Sequence, residues 1–238
     1  LQDGVMWSDG TPLTANDAVF TWQYCTAEGG GCAQASYFDG VESVEAVDDL
    51  TIKITFNAPK PFPYTALVGS ESPIIQAAQF ADCLGAAAPT CVDANFGPIG
   101  TGPFVVDDFK ANDVIQFSAN ENFRIEGQPA FSNVLFKGGG DAASAARSVL
   151  ETGEFDYAWN LQIDPTVLSD MESAGLGTVV TAFGTSVERL HLNQTNPSAD
   201  LGDLRATAEG GPHPFLTNLV IGQAISMAID RELLVELG

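Results

Sequence analysis

The clearest period along the chain is the alternation in "TIKITF", where Ile52, Ile54 and Phe56 point one way and Thr51, Lys53 and Thr55 the other. It predicts a strand with one buried face. The strand stops at "APKPFPY", because proline cannot donate to a ladder. A helical period comes earlier, after a turn at Ser8-Asp9-Gly10. Thr14 and Asp17 form a capping-box pair, and Ala15, Ala18, Val19 and Trp22 share one face, so a helix begins at Thr14. "FVVDDFKANDVIQFSAN" predicts a hairpin turning near Asn112-Asp113.

From residue 134 onward the pattern predicts strand, helix, strand, helix. "VLFKGGG" is a strand, Ala142 to Thr152 a helix stopped by Gly153, and Phe155 to Trp159 a strand. Asp164 and Pro165 then start a helix that runs to Gly175, in the favoured order of cap and proline. "GTVVTAFG" and "VERLHLN" predict two further strands. "FLTNLVIGQAISMAIDRELLVEL" predicts helix, with Val220, Ala224, Met227 and Ala228 on one face and a break near Asp230. This order argues for an α/β layer.

The glycines Gly138 to Gly140 precede a helix, where backbone N–H groups can hold an anion. A nucleotide loop needs Lys followed by Ser or Thr at that helix start. Here Asp141, Ala142 and Ala143 follow instead. Asp141 repels an anion and suits an N-cap, so the stretch reads as a turn.

Composition narrows the function classes. Thirty-one acidic residues against nine basic ones give a formal net charge of −22. Such a surface repels phosphate backbones and anionic membranes, which disfavours nucleic acid and direct membrane insertion. With 238 residues and 45% hydrophobic content the chain can bury a core. No window reaches the roughly 18 uninterrupted apolar residues of a membrane span. The chain opens on Leu1 and ends at Gly238 just after a helical run, and it reads as an internal piece of a longer polypeptide.

The four cysteines fall in two close pairs, Cys25/Cys32 and Cys83/Cys91, each enclosing a small-residue loop. Zinc favours tighter gaps within a ligand pair. Two local disulfides fit better and imply an oxidising compartment. Catalytic signals are sparse. His191 sits in an alternating stretch and His213 in the proline-bounded "GPHPF"; neither HExxH nor GxSxG occurs. The sequence nominates no acid/base dyad, no metal site and no cofactor, so an enzyme is disfavoured. "NQT" at Asn193 is a formal glycosylation sequon.

"DGVMWSDGTPLTANDAVFTW", "IGTGPF", "ARSVLETGEFDYAW" and "AISMAIDRELL", in that order, resemble the extracytoplasmic solute-binding proteins of ABC importers, in the dipeptide, oligopeptide and nickel class. The resemblance covers nearly the whole chain. One departure is Gly222, where the family usually has arginine, which bears on how the final helix docks. The resemblance implies an α/β (α+β) fold of the type II periplasmic-binding-protein kind, with two lobes closing on a ligand by hinge motion. It implies an extra first-lobe subdomain over 1–100, the first-lobe core over 101–186 and the start of a second lobe over 187–238; the glycine- and proline-rich "GPIGTGPF" from Gly97 to Phe104 reads on its own as a subdomain seam. It also implies a periplasmic receptor that hands a peptide or peptide-sized solute to a membrane permease. The same scaffold serves oligosaccharides and opines. A secreted hydrolase with its catalytic residues elsewhere is the alternative from another class.

Ligands of α/β sheets gather at the carboxyl ends of strands. Two places qualify: Trp159, Asn160 and Gln162 after the "FDY" strand, and Phe183, Gly184 and Thr185 before the crossing. An aromatic ring beside an amide can stack on a solute and hydrogen-bond it. The competing reading places Trp159 and Phe183 in the core, with Asn160 capping the next turn.

Overall fold

The computed structural model describes every residue except Phe183, Ser186, Glu188 and Gly238. It divides into two compact units, 1–139 and 140–238, and the division falls inside the 101–186 stretch.

The first unit begins with the turn at Gly10, whose N–H donates to the Trp7 carbonyl at 2.9 Å. Helix α1 (Ala15–Thr26) follows with Thr14 as N-cap and a complete capping box. Its buried side is Ala15, Ala18 and Thr21, with Asp17 also buried. Asp17 accepts from the Thr14 N–H and the Ala77 N–H, both at 2.9 Å, and so ties α1 to the short helix α2 (Ala77–Phe80). A buried carboxylate is tolerable only when paired in this way.

Strand β2 (Ile52–Phe56) takes the alternating position and pairs antiparallel with β1 (Val41–Ala46), which carries a register shift between Val41 and Ser43. The apolar positions of "VESVEA", Val41, Val44 and Ala46, do not alternate, so no period marks β1 in the sequence. Its three polar residues are a weak pattern alone, and it is the pairing with β2 that orders it. After α3 (Val92–Phe96) comes the expected hairpin, β3 (Phe104–Lys110) and β4 (Val114–Ala119), with Asn112 at φ +61 in its turn. β5 (Asn133–Lys137) adds to β4, giving an antiparallel sheet in the order β3-β4-β5. The glycine run then packs behind the hairpin turn. A Cβ on Gly139, at φ +72, would lie 2.6 Å from the Asn112 carbonyl oxygen, so only glycine fits.

In the second unit, α4 (Ala142–Leu150) is capped by the Asp141 carboxylate, which accepts from the Ser144 N–H at 2.7 Å. Helix α5 (Pro165–Glu172) is capped by Asp164, which accepts from the Thr166 N–H at 2.8 Å. Gly153 and Gly175 follow at φ +65 and +80, as stops should. Helices α6 (Leu219–Ala228) and α7 (Arg231–Leu237) are separated at Asp230, whose carboxylate accepts from the Leu233 N–H at 3.0 Å.

Four expectations are corrected here. The strand over Phe155–Trp159 and the strands in "GTVVTAFG" and "VERLHLN" do not form among the described residues, where the only pairing in this unit is the isolated bridge Thr195–Pro212. The alternating α/β order from 134 onward therefore ends with β5. For the first two of those strands the physical reason lies in the donors: the Phe155 N–H bonds the Ser148 carbonyl at 3.2 Å, and the Val179 N–H bonds Glu172 Oε1 at 2.8 Å. Helix ends take donors that a ladder would need. His191 consequently lies on no strand and is exposed. In α6 the side that is partly covered is Ile221, Gly222 and Ile225, while Val220 and Met227 are exposed. Without a side chain at Gly222, Leu192 Cδ1 comes within 3.7 Å of its Cβ position, which turns that face inward.

Candidate functional site

Helices α4 and α5 build the platform for Trp159. Ala146, Leu150 and Met171 form a buried cluster, and Leu161, Ile163, Leu168 and Val179 pack against it. Leu161 and Ile163 thus pin the linking segment at two positions, and Gln162 between them is exposed. Regular alternation would put Trp159 on the same inward side. Asn160 breaks it with φ +54, a left-handed conformation that asparagine tolerates better than most residues. Trp159 is 78% exposed. A ring held outward on a pinned segment, beside two carboxamides, can stack on a flat or apolar group and exchange hydrogen bonds with polar ones.

Trp159, Asn160 and Gln162 form one contiguous group. Gly184 and Thr185 are exposed too, and no hydrogen bond links them to that group among the described residues. Phe183 lies outside the described residues. Tyr157, 75% exposed two residues before Trp159, is an aromatic the sequence reading passed over; the "DYAWN" spacing was its signal.

The histidines divide. His191 is exposed, whereas His213 is buried, with Nδ1 accepting from the Leu216 N–H at 3.0 Å and its ring edge-on to Phe215. Among the described residues no group of three or more His, Cys, Asp or Glu side chains could hold a metal ion. The carboxylates held below their ordinary range in this unit, Asp141 and Asp164, accept hydrogen bonds at helix starts, so capping rather than chemistry accounts for them. No helix of the described residues is long and apolar enough to cross a membrane.

In the first unit the structure joins Cys25 to Cys32 and Cys83 to Cys91. A cavity of about 390 Å³ opens beside them, walled by Tyr24, Phe38, Ile75 and Phe80. No sequence signal pointed to it, since its lining comes from five separated segments.

The profile of the bacterial extracellular solute-binding proteins, family 5 (middle), matches residues 1–238. The chain belongs to that family. This family 5 chain is 24% identical over 234 residues to a putative ABC transporter peptide-binding protein of Brucella ovis, covering 97% of the chain and 39% of that protein. It is 28% identical over 206 residues to the probable D,D-dipeptide-binding periplasmic protein DdpA of Escherichia coli, covering 86% of the chain and 38% of DdpA. Among solved structures, it resembles MoaA of A. tumefaciens R10 in complex with mannopinic acid. The TM-score is 0.61 at 25% identity, over 74% of the chain and 34% of MoaA. The fold is that of the type II periplasmic binding proteins, and the chain spans about 39% of the length of the Brucella relative.

Proposed function

We propose that this chain is part of an extracytoplasmic receptor that delivers a peptide or peptide-sized solute to the permease of an ABC importer. The observation that carries the reading is the family match along all 238 residues, joined by a peptide-binding relative that aligns with 97% of the chain. In this reading 1–100 is the extra subdomain of the first lobe, 101–186 its core and 187–238 the start of the second lobe. The receptor works in the periplasm, takes no cofactor and performs no reaction. Trp159 stacks on the solute, Asn160 and Gln162 hydrogen-bond it, and Phe183, Gly184 and Thr185 complete the contact before the crossing. Closure of two lobes expels water around the solute, which strengthens each of those bonds.

Mass spectrometry of the full-length protein, purified natively and then denatured, identifies the retained solute. Trp159→Ala then weakens its binding by about 1–3 kcal/mol in calorimetry. The melting temperature holds, because the ring covers little. Unchanged affinity with a lowered melting temperature would return Trp159 to the core. The opine reading has one specific observation behind it, the likeness to MoaA with mannopinic acid. A retained sugar conjugate in place of a peptide would decide for it, and turnover of a peptide or glycoside would decide for a hydrolase.

A further inference from the structure

The cavity beside the disulfide loops has no part in that receptor reading. It lies wholly within the first unit, whereas Trp159, Asn160 and Gln162 belong to the second. Its volume of about 390 Å³ falls in the range of small-molecule pockets, roughly 300–1,000 Å³. Phe38 and Phe80 are almost wholly buried, and Tyr24 meets Phe80 edge-on at 5.8 Å between ring centres. Gly30 and Gly31 line the space without side chains, so their loop does not fill it.

Covalent bridges fix two of the loops around the cavity. Cys25–Cys32 is itself part of the lining, and Cys83–Cys91 ties the segment after Phe80 to the start of α3. The loops also meet backbone to backbone. A Cβ on Gly85 would sit 3.0 Å from the Glu28 carbonyl oxygen. A void normally shrinks as its surroundings relax inward, and here that relaxation is restrained.

The polar edge sets the chemistry. Gln34 Oε1 lies 3.9 Å from Cys32 Sγ, but that sulfur is bridged and has no hydrogen to donate. The partly exposed Gln34 side-chain amide therefore has no protein partner among the described residues, on the rim of an apolar space. Helix α1 ends at the cavity with Cys25 in its lining and no basic residue in its last turn. Its carbonyl end leaves a negative field, and the chain's charge of −22 adds to it.

We propose that this cavity is a second ligand site, for a compact aromatic molecule carrying an N–H donor and no negative charge. The ring packs against Tyr24 and Ile75, the partly exposed apolar side chains of the lining, and the donor reaches Gln34 Oε1. The probe is 5-fluoroindole, followed by ¹⁹F NMR against the protein, with 5-fluoroindole-3-acetate as its anionic twin. Saturable binding is expected at about 1 mM or tighter for a ligand of this size. The acetate binds at least about tenfold more weakly. Ala33 is exposed and lines the cavity, so Ala33→Phe plugs it from the surface and weakens 5-fluoroindole about tenfold with the melting temperature unchanged. Gln34→Leu keeps the volume, removes the acceptor and weakens it about threefold to tenfold. Failure to saturate, equal binding of the two probes, or equal binding by Ala33→Phe overturns the proposal.

Discussion

The two units use apolar residues differently. Among the described residues, ten buried apolar side chains, Val5 through Ala88, lie in the first unit, and three, Ala146, Leu150 and Met171, in the second. The first unit closes its backbone donors into two sheets, while the second spends several on helix ends. Val180, Met227 and Val235, each more than 80% exposed, all belong to the second. Periodicity thus identifies which side chains seek cover, and cover must still come from some other segment. Residues 1–139 supply it locally. Under the receptor reading, the second unit's apolar faces belong to a lobe core that the 238 residues do not complete.

The strongest way to break this comparison is hydrogen exchange. Amides of α1, β3 and β4 should exchange at least about 100-fold more slowly than those of 177–182, because exchange follows local opening free energy. Equal protection in the two regions would show that the second unit is as tightly closed as the first.

Asp17 comes next. Asp17→Ala removes the acceptor of two backbone N–H groups at a buried site and should cost about 3 kcal/mol in denaturant unfolding of the first unit. A loss below about 1 kcal/mol would mean that water replaces the carboxylate without difficulty. The paired change Cys25→Ser with Cys32→Ser should cost about 2 kcal/mol, the scale for closing so short a loop. Both effects should leave exchange in the second unit untouched.

These tests fall where the sequence was most legible. The Thr14/Asp17 capping box, the alternation of Ile52 to Phe56, the Asn112 turn and the Asp141 and Asp164 caps are local signals, each set by residues a few positions apart. Asp17's second bond, to Ala77, was invisible because it spans 60 residues. Trp159 was legible as an aromatic beside amides, but its outward direction depends on the backbone of Asn160, which composition does not encode. The cavity at Tyr24, Gln34 and Phe80 was illegible for the same reason as the strand partners: distant segments meet there.

The smallest expected effect concerns acid and the caps of the second unit's helices. Asp141 is held below its ordinary value first by the hydrogen bond from the Ser144 N–H, and Asp164 first by that from the Thr166 hydroxyl. A depressed folded value means that each contributes stability fully above the unfolded carboxylate value, near 3.8. That contribution fades as pH falls through the still lower folded value. The window therefore opens below about pH 4, and nothing should change between pH 5 and 7 from these groups. In the first unit Asp9 titrates in the same sense, through its bonds from Thr11 and Gln76, so acid weakens both units. Asparagine caps a helix about as well as aspartate and does not titrate. The double change Asp141→Asn with Asp164→Asn should thus keep the helical circular dichroism of α4 and α5 at pH 7. It should also flatten the loss of signal between pH 4 and 2, leaving only the part contributed by the first unit. An acid limb identical to that of the parent chain would show that these caps play no part in it.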